Sequence, residues 1–353
     1  MLTAPAVPEE EISGWPIEES GLPARVVHST RIAGLSALGD LRAWQDSDLL
    51  NLHALGKKSL GQIHEYFGMC DRLAEGRLAF THFIDLLHAF LDDDEFTVLS
   101  FRYGFDLAAP LPSGSSMTLQ AIGNRMHRTR ERIRQIEETA MRRLESRLCR
   151  CSLVPWHDYF TGMLETADGC VACGDLFEHT RRSLFDYSNP CALLLLLCGL
   201  SGSRITYRNG FFSLWSAEDL DRVPPEILAW LRQHDGRGRL AEICEHLEKA
   251  GLGSRASIRK HAQLMAEHCA DIVVAADGRI YSADGGISHF LADVLKKFKG
   301  PVNYRVIARE ANELLRPASR RGTGFWLKAL RSHPGIRMRE SGRYELSRRA
   351  SGS

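Results

Sequence analysis

The sequence predicts a mainly α-helical protein built from small units: a helix-hairpin-helix domain, a helix-turn-helix domain, and tandem winged-helix-like units with β-hairpins. Three observations predict it. Two capped, amphipathic helices follow one another across 118–145. A tight turn at Gly56 opens a helix on Lys57, Lys58 and Ser59. A strand, a glycine turn and a second strand recur three times after position 200. The 353 residues leave room for several such units, since domains run to roughly 100–200 residues or fewer.

Taken in order, residues 1–24 carry five Glu and no Lys or Arg, and 1–18 read as a flexible, acidic N-terminus. Residues 19–70 read as short helices with tight turns, the helix-hairpin-helix domain. Residues 71–91 read as an apolar helical linker, with 75–91 as one helical stretch. Residues 92–150 hold three or four helices, interrupted at 109–116 by APLPSGSS, whose Pro, Gly and Ser demand a loop. Residues 151–216 read as a helical region ending in the first hairpin. Within it, Cys191 to Leu200 is the longest apolar run, at ten residues. A membrane span needs about 20, so this is expected to be a buried helix.

The hairpins are RITYRNGFFSLW (204–215), DIVVAADGRIYSA (271–283) and GIRMRESGRYELS (335–347). Asn-Gly and Asp-Gly supply the positive φ angles that two-residue hairpin turns need. Helical sequence fills each interval: EILAWLRQH, RLAEICEHLEKAG and SRASIRKHAQLMAEH precede the second hairpin. Ser254 or Ser257 is placed to cap the last of these, and Gly251 and Gly253 to end the one before. Helices followed by a hairpin are the order of a winged helix, giving an incomplete unit at 151–216 and further units at 225–284 and 287–348. Residues 290–353 carry 15 Lys and Arg against 5 Asp and Glu, while the whole chain has a net charge of only +1. Arg337, Arg339 and Arg343 of the third hairpin are therefore the candidate DNA-touching wing, with Lys296, Lys297, Lys299, Arg305, Arg320 and Arg321 in the same basic unit.

The sharpest signal is TLQAIGNRMHRTRERIRQIEETAMRRLE (118–145). Thr118 is placed to cap a helix to Met126. Ala121 is small where two helices must cross, and Gly123, His127 and Arg128 lie at or near the turn. Thr129 is placed to cap a second helix. Ile133, Ile136, Ala140, Met141 and Leu144 form its apolar stripe. The opposite face carries Arg130, Glu131, Arg134 and Gln135, whose side chains match guanine, cytosine and adenine edges in a major groove. A merely solvated charged face is the competing reading. It does not account for the caps and small residue falling at helix-turn-helix spacing.

With its upstream helix, this stretch resembles the fourth conserved region of primary bacterial sigma factors. The matching phrases are Phe101 to Asp106 (FRYGFD) and Thr129 to Glu137 (TRERIRQIE). The resemblance implies that Arg130, Glu131, Arg134 and Gln135 face bases of a promoter hexamer, and that Thr118 and Arg132 lie near phosphates. The APLPSGSS insertion departs from that pattern.

A second resemblance covers 19–67. LGKKSLGQI (Leu55 to Ile63) and GDL (Gly39 to Leu41) are similar to the C-terminal domain of the RNA polymerase alpha subunit. Free N–H groups at the Gly56 turn, the helix dipole and a Lys together make a phosphate seat. The resemblance implies minor-groove contact through Arg25, with Gly56, Lys58 and Ser59 at the seat. A family Asn becomes His28 here.

These readings converge on a sequence-specific DNA-binding protein of bacterial transcription, with double-stranded DNA as partner and RNA polymerase as a second possible one. No aromatic-rich strand-melting segment is present, so recruitment, blocking or marking of a site is expected rather than promoter opening. The alternative is a subunit docking on RNA polymerase or on a mobile-element or defence complex. The chain has no phosphate-loop or metalloprotease signature, and it is read as a non-enzyme without a cofactor. Cys149-x-Cys151 with Cys170-x-x-Cys173 is a weak zinc candidate, with His157 and His179 as substitutes, and buried free thiols are the preferred reading. The first residues have neither the basic start nor the apolar core of a signal peptide, and nine cysteines fit reduced thiols. A cytoplasmic, nucleoid-associated location is expected.

Overall fold

The computed structural model describes residues 1–105, 117–176, 180, 184, 189–252, 255–339 and 342–347, with only the backbone at 255 and 256. The chain divides into two compact units, Met1–Met163 with Cys173–Ile205, and Leu164–Ala172 with Thr206–Ser353.

The first unit is almost wholly helical. It opens with β1 (Leu2–Thr3), then α1 (Glu9–Ser13) and a 3-10 turn at Ile17–Glu19. Residues 1–18 are thus folded rather than flexible. Ala4, Ile12, Trp15 and Ile17 are each under 5% exposed in the same core as Leu38, Leu41, Ile63 and Leu73. Burial of such side chains contributes roughly 1.5–3 kcal/mol each, which outweighs the acidic composition. Next come α2 (Ala24–Ile32), α3 (Leu38–Arg42), α4 (Asp46–Leu50) and α5 (Lys57–Ala74).

The stretch expected as a linker is part of the fold. After α5 the chain turns at Gly76 (φ 65°), and β2 (Ala79–Phe80) pairs antiparallel with β1. Only then does α6 (Phe83–Phe90) begin, with Phe83, Leu86 and Leu87 fully buried. A ring-edge contact sets Phe83 5.0 Å from Trp156.

Three helices follow: α7 (Asp93–Tyr103), α8 (Leu119–Met126) and α9 (Arg130–Leu144). The APLPSGSS stretch at 109–116 lies outside the described residues. The helix α10 (Arg147–Thr166) runs across the boundary expected at 150 and through Pro155. The apolar run forms α11 (Pro190–Cys198), capped by Asn189 and buried along most of its length. Among the described residues, no helix is long and apolar enough to cross a membrane.

Among its described residues the second unit holds three small antiparallel sheets. In the first, β3 (Cys170–Ala172) adds a third strand to the hairpin of β4 (Thr206–Arg208) and β5 (Phe211–Ser213), in the order β3-β5-β4. The incomplete unit therefore has a full three-stranded sheet. Asn209 (φ 47°) and Gly210 (φ 88°) form the expected two-residue turn.

The next module runs α12 (Ala217–Gln233), β6 (Arg237–Arg239), α13 (Leu240–Lys249), α14 (Arg255–His268), β7 (Ile272–Val274) and β8 (Arg279–Ser282). Its first helix starts at a Ser216 cap, earlier than the 225 boundary, and continues through Pro224 and Pro225. Gly251 (φ 74°) follows α13, while Ser254 and Gly253 lie outside the described residues. Its hairpin does not make the two-residue turn. Ala275 N–H donates to the Arg279 carbonyl (2.8 Å) around a three-residue loop ending at Gly278 (φ 83°).

The last module repeats the order: α15 (Ile287–Lys296), β9 (Val302–Asn303), α16 (Tyr304–Glu313), α17 (Thr323–Ser332), β10 (Ile336–Arg339) and β11 (Arg343–Leu346). In both modules the first strand pairs with the last, giving the orders β6-β8-β7 and β10-β11-β9. Helix, strand, two helices and hairpin are the element order of a winged helix.

Candidate nucleic-acid interface

The helix-turn-helix is fixed by local chemistry. Thr118 Oγ1 accepts from Ala121 N–H, and Thr129 Oγ1 accepts from Arg132 N–H, both at 3.2 Å. Between the two helices His127 takes the left-handed conformation (φ 54°) that turns the chain. A close approach lies at Gly123. A Cβ there would sit 2.7 Å from the Arg128 carbonyl oxygen, so only glycine lets the turn fold back on α8. Val98, Ile122, Ile133 and Ile136 form the core beneath.

Two arginines tie α7 to this pair. Arg102 donates to Glu137 (3.0 Å) and to the Met117 carbonyl (3.0 Å). Arg143 donates to Glu95 at 2.7 Å. The Glu95 carboxylate also closes the capping box of α7 by accepting from Asp92 N–H. Burial raises its pKa, against the pull of that hydrogen bond and of Arg143. The resulting rigid base holds α9 with one side facing outward.

That side carries Arg130, Glu131, Arg134 and Gln135, all exposed. The predicted base-facing residues therefore lie together along the first two turns of α9. They are also engaged with one another. Arg134 donates to Glu131 (2.7 and 3.0 Å) and pairs with Glu138, and Gln135 donates to Glu131 (3.3 Å). The Arg134 hydrogen bond holds the Glu131 carboxyl below its usual range. Glu138 was not expected at the site, although its spacing of four from Arg134 signals the pair. Arg130 makes no ion pair among the described residues. Exposed pairs of this kind contribute little and exchange readily for another partner. Of the two expected phosphate contacts, Thr118 has its hydroxyl in the cap, and Arg132 is exposed and reaches Gln135 at 3.5 Å.

The second candidate surface is α2 with the start of α5. Arg25 and His28 are exposed on α2, and Arg25 donates to Gln62 of α5 at 2.9 Å. Gly56 caps α5 in an extended conformation, with Lys57 and Lys58 exposed beside it. Ser59 departs from expectation. It is 2% exposed, packed in the first turn of α5 rather than open beside Lys57 and Lys58. A cleft of about 540 Å³ is lined by His28 and Arg31 of α2 and by Thr139 and Arg142 of α9. Both candidate surfaces thus belong to one compact unit, where Gly21 lies against Ser146 and Arg147 pairs with Glu19 at 2.5 Å.

In the second unit, the register of β10 and β11 puts Arg337, Arg339, Arg343 and Glu345 on one hairpin face. Arg339 is taken by Glu345 (2.6 Å), while Arg337 and Arg343 are exposed. Arg321 is structural, donating to the Cys269 and Ile272 carbonyls at 2.9 and 2.7 Å. Among the described residues no group of three or more His, Cys, Asp or Glu is placed to hold a metal. Cys149 and Cys170 are buried, and burial pushes the Cys170 thiol up to about 12. His179 lies outside the described residues.

Residues 89–145 match the family model of sigma-70, region 4. No curated protein matches the chain. The match covers α7 to α9 and the end of α6, the part of the chain whose caps and turn are described above. It marks this part as a helix-turn-helix domain of a DNA-binding, transcription-related kind.

Proposed function

We propose that the chain reads double-stranded, promoter-like DNA in a sequence-specific way. In this reading α9 enters the major groove and places Arg130, Glu131, Arg134 and Gln135 on base edges. The single observation that carries it is the outward row of those four side chains on a helix that Thr129, Gly123 and Arg143 hold rigidly. The surface of Arg25, His28, Gly56 and Lys58 takes an adjacent minor groove in the manner of the alpha-subunit domain. Arg132 and the exposed wing residues Arg337 and Arg343 contact phosphates. Two weak readers in one chain raise each other's effective concentration on a composite site. RNA polymerase is the protein partner that the sigma-like domain fits, and regulation without promoter melting is the outcome.

Selection of bound duplexes from a random pool tests this. A shared motif with a half-site for each surface supports the reading, and recovery of unrelated sequences defeats it. One observation favours a second reading, docking on polymerase or another complex. Arg134 is already flanked by Glu131 and Glu138, a mixed-charge face that also suits a protein partner. Polymerase capture that persists after Arg130→Ala and Arg134→Ala, with no DNA motif, would select that alternative.

A further inference from the structure

The three hairpins of the second unit do not end alike. The first, β4–β5, is covered by the module that follows it. Cys170 and Phe211 of its sheet enter the core built by α12, α13 and α14. Trp215 stacks on His261 of α14 at 4.0 Å, and its Nε1 donates to Ser257 (3.2 Å). The second hairpin, β7–β8, is covered in turn by the last module. Ala276 N–H donates to the Leu314 carbonyl (2.9 Å), and Arg316 N–H donates to the Val274 carbonyl (3.1 Å). Val274 N–H donates to Ser319 Oγ (3.2 Å), and Arg321 donates to the Ile272 carbonyl (2.7 Å). The covered strands have matching chemistry. Phe211, Phe212 and Ser213 of β5 are all buried, and so are Ile272, Val273 and Val274 of β7.

The third hairpin has no such cover among the described residues. Ile336 and Tyr344 anchor it in the core of its own module. Met338 alternates onto the same face as Ile336, yet it is 63% exposed, so the hairpin extends beyond that core. Arg337 and Arg343 are exposed on the other face. Covering this hairpin as the first two are covered would bury unpaired guanidinium groups at a high cost.

The charge continues onto α17. Residues 317–339 hold six Lys and Arg and no Asp or Glu. Lys328 and Arg331, three apart, share the exposed face of α17. Lys328, Arg331, Arg337 and Arg343 make no ion pair among the described residues. Acids of this module sit elsewhere, Glu310 and Glu313 beside Arg309 on α16, and Asp293 with Arg279 and Lys296. A basic strip without neighbouring carboxylates attracts a polyanion.

We propose that α17 and the third hairpin form a second duplex-binding surface, which grips the phosphate backbone through Lys328, Arg331, Arg337 and Arg343 without reading sequence. The first two hairpins serve as joints between modules. This extends the phosphate role given above to the hairpin, and it rests on double-stranded DNA being the partner.

The test is fluorescence anisotropy of the full chain on the selected and a scrambled duplex across a range of salt. Each neutralised phosphate contributes about 0.9 to the slope of log affinity against log salt. Lys328→Ala with Arg331→Ala, and Arg337→Ala with Arg343→Ala, should each flatten that slope by about 2 and weaken both duplexes alike, by about tenfold or more. Arg309→Ala should leave the slope unchanged, since Arg309 is engaged by its own helix. Arg337→Lys with Arg343→Lys keeps the charge and should keep the slope, which decides the matter if the alanine pair disturbs folding. An unchanged slope in both alanine pairs, or no duplex binding at low salt, overturns the proposal. Self-association of the wild type in sedimentation, abolished by Arg337→Ala with Arg343→Ala, would instead give the hairpin to a second copy. The ratio between selected and scrambled duplex belongs to α9 and should not change in these variants. Were α9 to read no sequence, the slope on any duplex would still report this surface, so the two readings fail separately.

Discussion

Replacing Arg130 and Arg134 by Ala together should remove two base contacts without disturbing the fold. Both side chains are exposed on α9, and neither contributes to the core of Val98, Ile122, Ile133 and Ile136. Alanine is the better helix former, and the ion pairs from Arg134 to Glu131 and Glu138 are exposed and of small worth. The melting temperature should therefore stay within a degree or two. On DNA the loss should be large. A bidentate contact discriminates against the wrong base by roughly 1–3 kcal/mol. Two such contacts correspond to a loss of roughly 30-fold to 10⁴-fold on the selected sequence. Fluorescence anisotropy at one fixed salt concentration, on the selected and a scrambled duplex, gives the needed ratio. The expected result is a specificity ratio that falls by that factor while scrambled-duplex affinity falls only modestly. An equal fall on both duplexes would show that the arginines act as phosphate charges, and the base-reading argument would be refuted.

Three further outcomes follow from the geometry. Gly123→Ala should destabilise the helix-turn-helix by about 1–3 kcal/mol, because its Cβ would meet the Arg128 carbonyl at 2.7 Å, with about 1 kcal/mol regained from helix propensity. Unchanged thermal unfolding would mean the turn is not so tight. Arg143→Met should cost about 3 kcal/mol or more, since it strands the buried Glu95 carboxylate, and adding Glu95→Gln should recover much of it. Equal denaturation midpoints for the single and double variants would contradict this. Finally, His261 is buried against Trp215 at 4.0 Å, donates through Nδ1 to the Ser257 carbonyl (2.9 Å) and accepts from Ser213 Oγ (2.7 Å). Burial, with Lys260 nearby, pulls its pKa from 6.5 down to about 4. A depressed histidine stabilises fully above 6.5 and loses that contribution as pH falls towards 4, by about 3 kcal/mol in all. His268 and His333 shift the same way, so the urea midpoints of wild type and His261→Gln must be compared across pH 4–7. Identical slopes would rule His261 out.

The local parts of the site were legible in the sequence because short-range chemistry fixes them. Thr118 and Thr129 cap from their own hydroxyls, and the α9 stripe follows from a period of 3.6. What depended on distant partners was not legible. The first eighteen residues look acidic and loose until Ile12, Trp15 and Ile17 meet Leu38 and Leu41 from later helices. Likewise, 79–80 reads as apolar helix until it pairs with Leu2 and Thr3. Ser59 looked like a phosphate ligand from its place after Lys57 and Lys58, yet packing of α5 buries it. The contact at Gly123 is non-local too, because the αL turn at His127 brings Arg128 back over that position.

The central claim, that α9 touches bases from the major groove, is tested most directly by dimethyl sulfate footprinting on the selected duplex, since that reagent methylates guanine N7. The account predicts protected guanines within one hexamer-sized element, with protection lost in Arg134→Ala while the rest of the footprint persists. Full-affinity binding that leaves every guanine N7 open to methylation would contradict it.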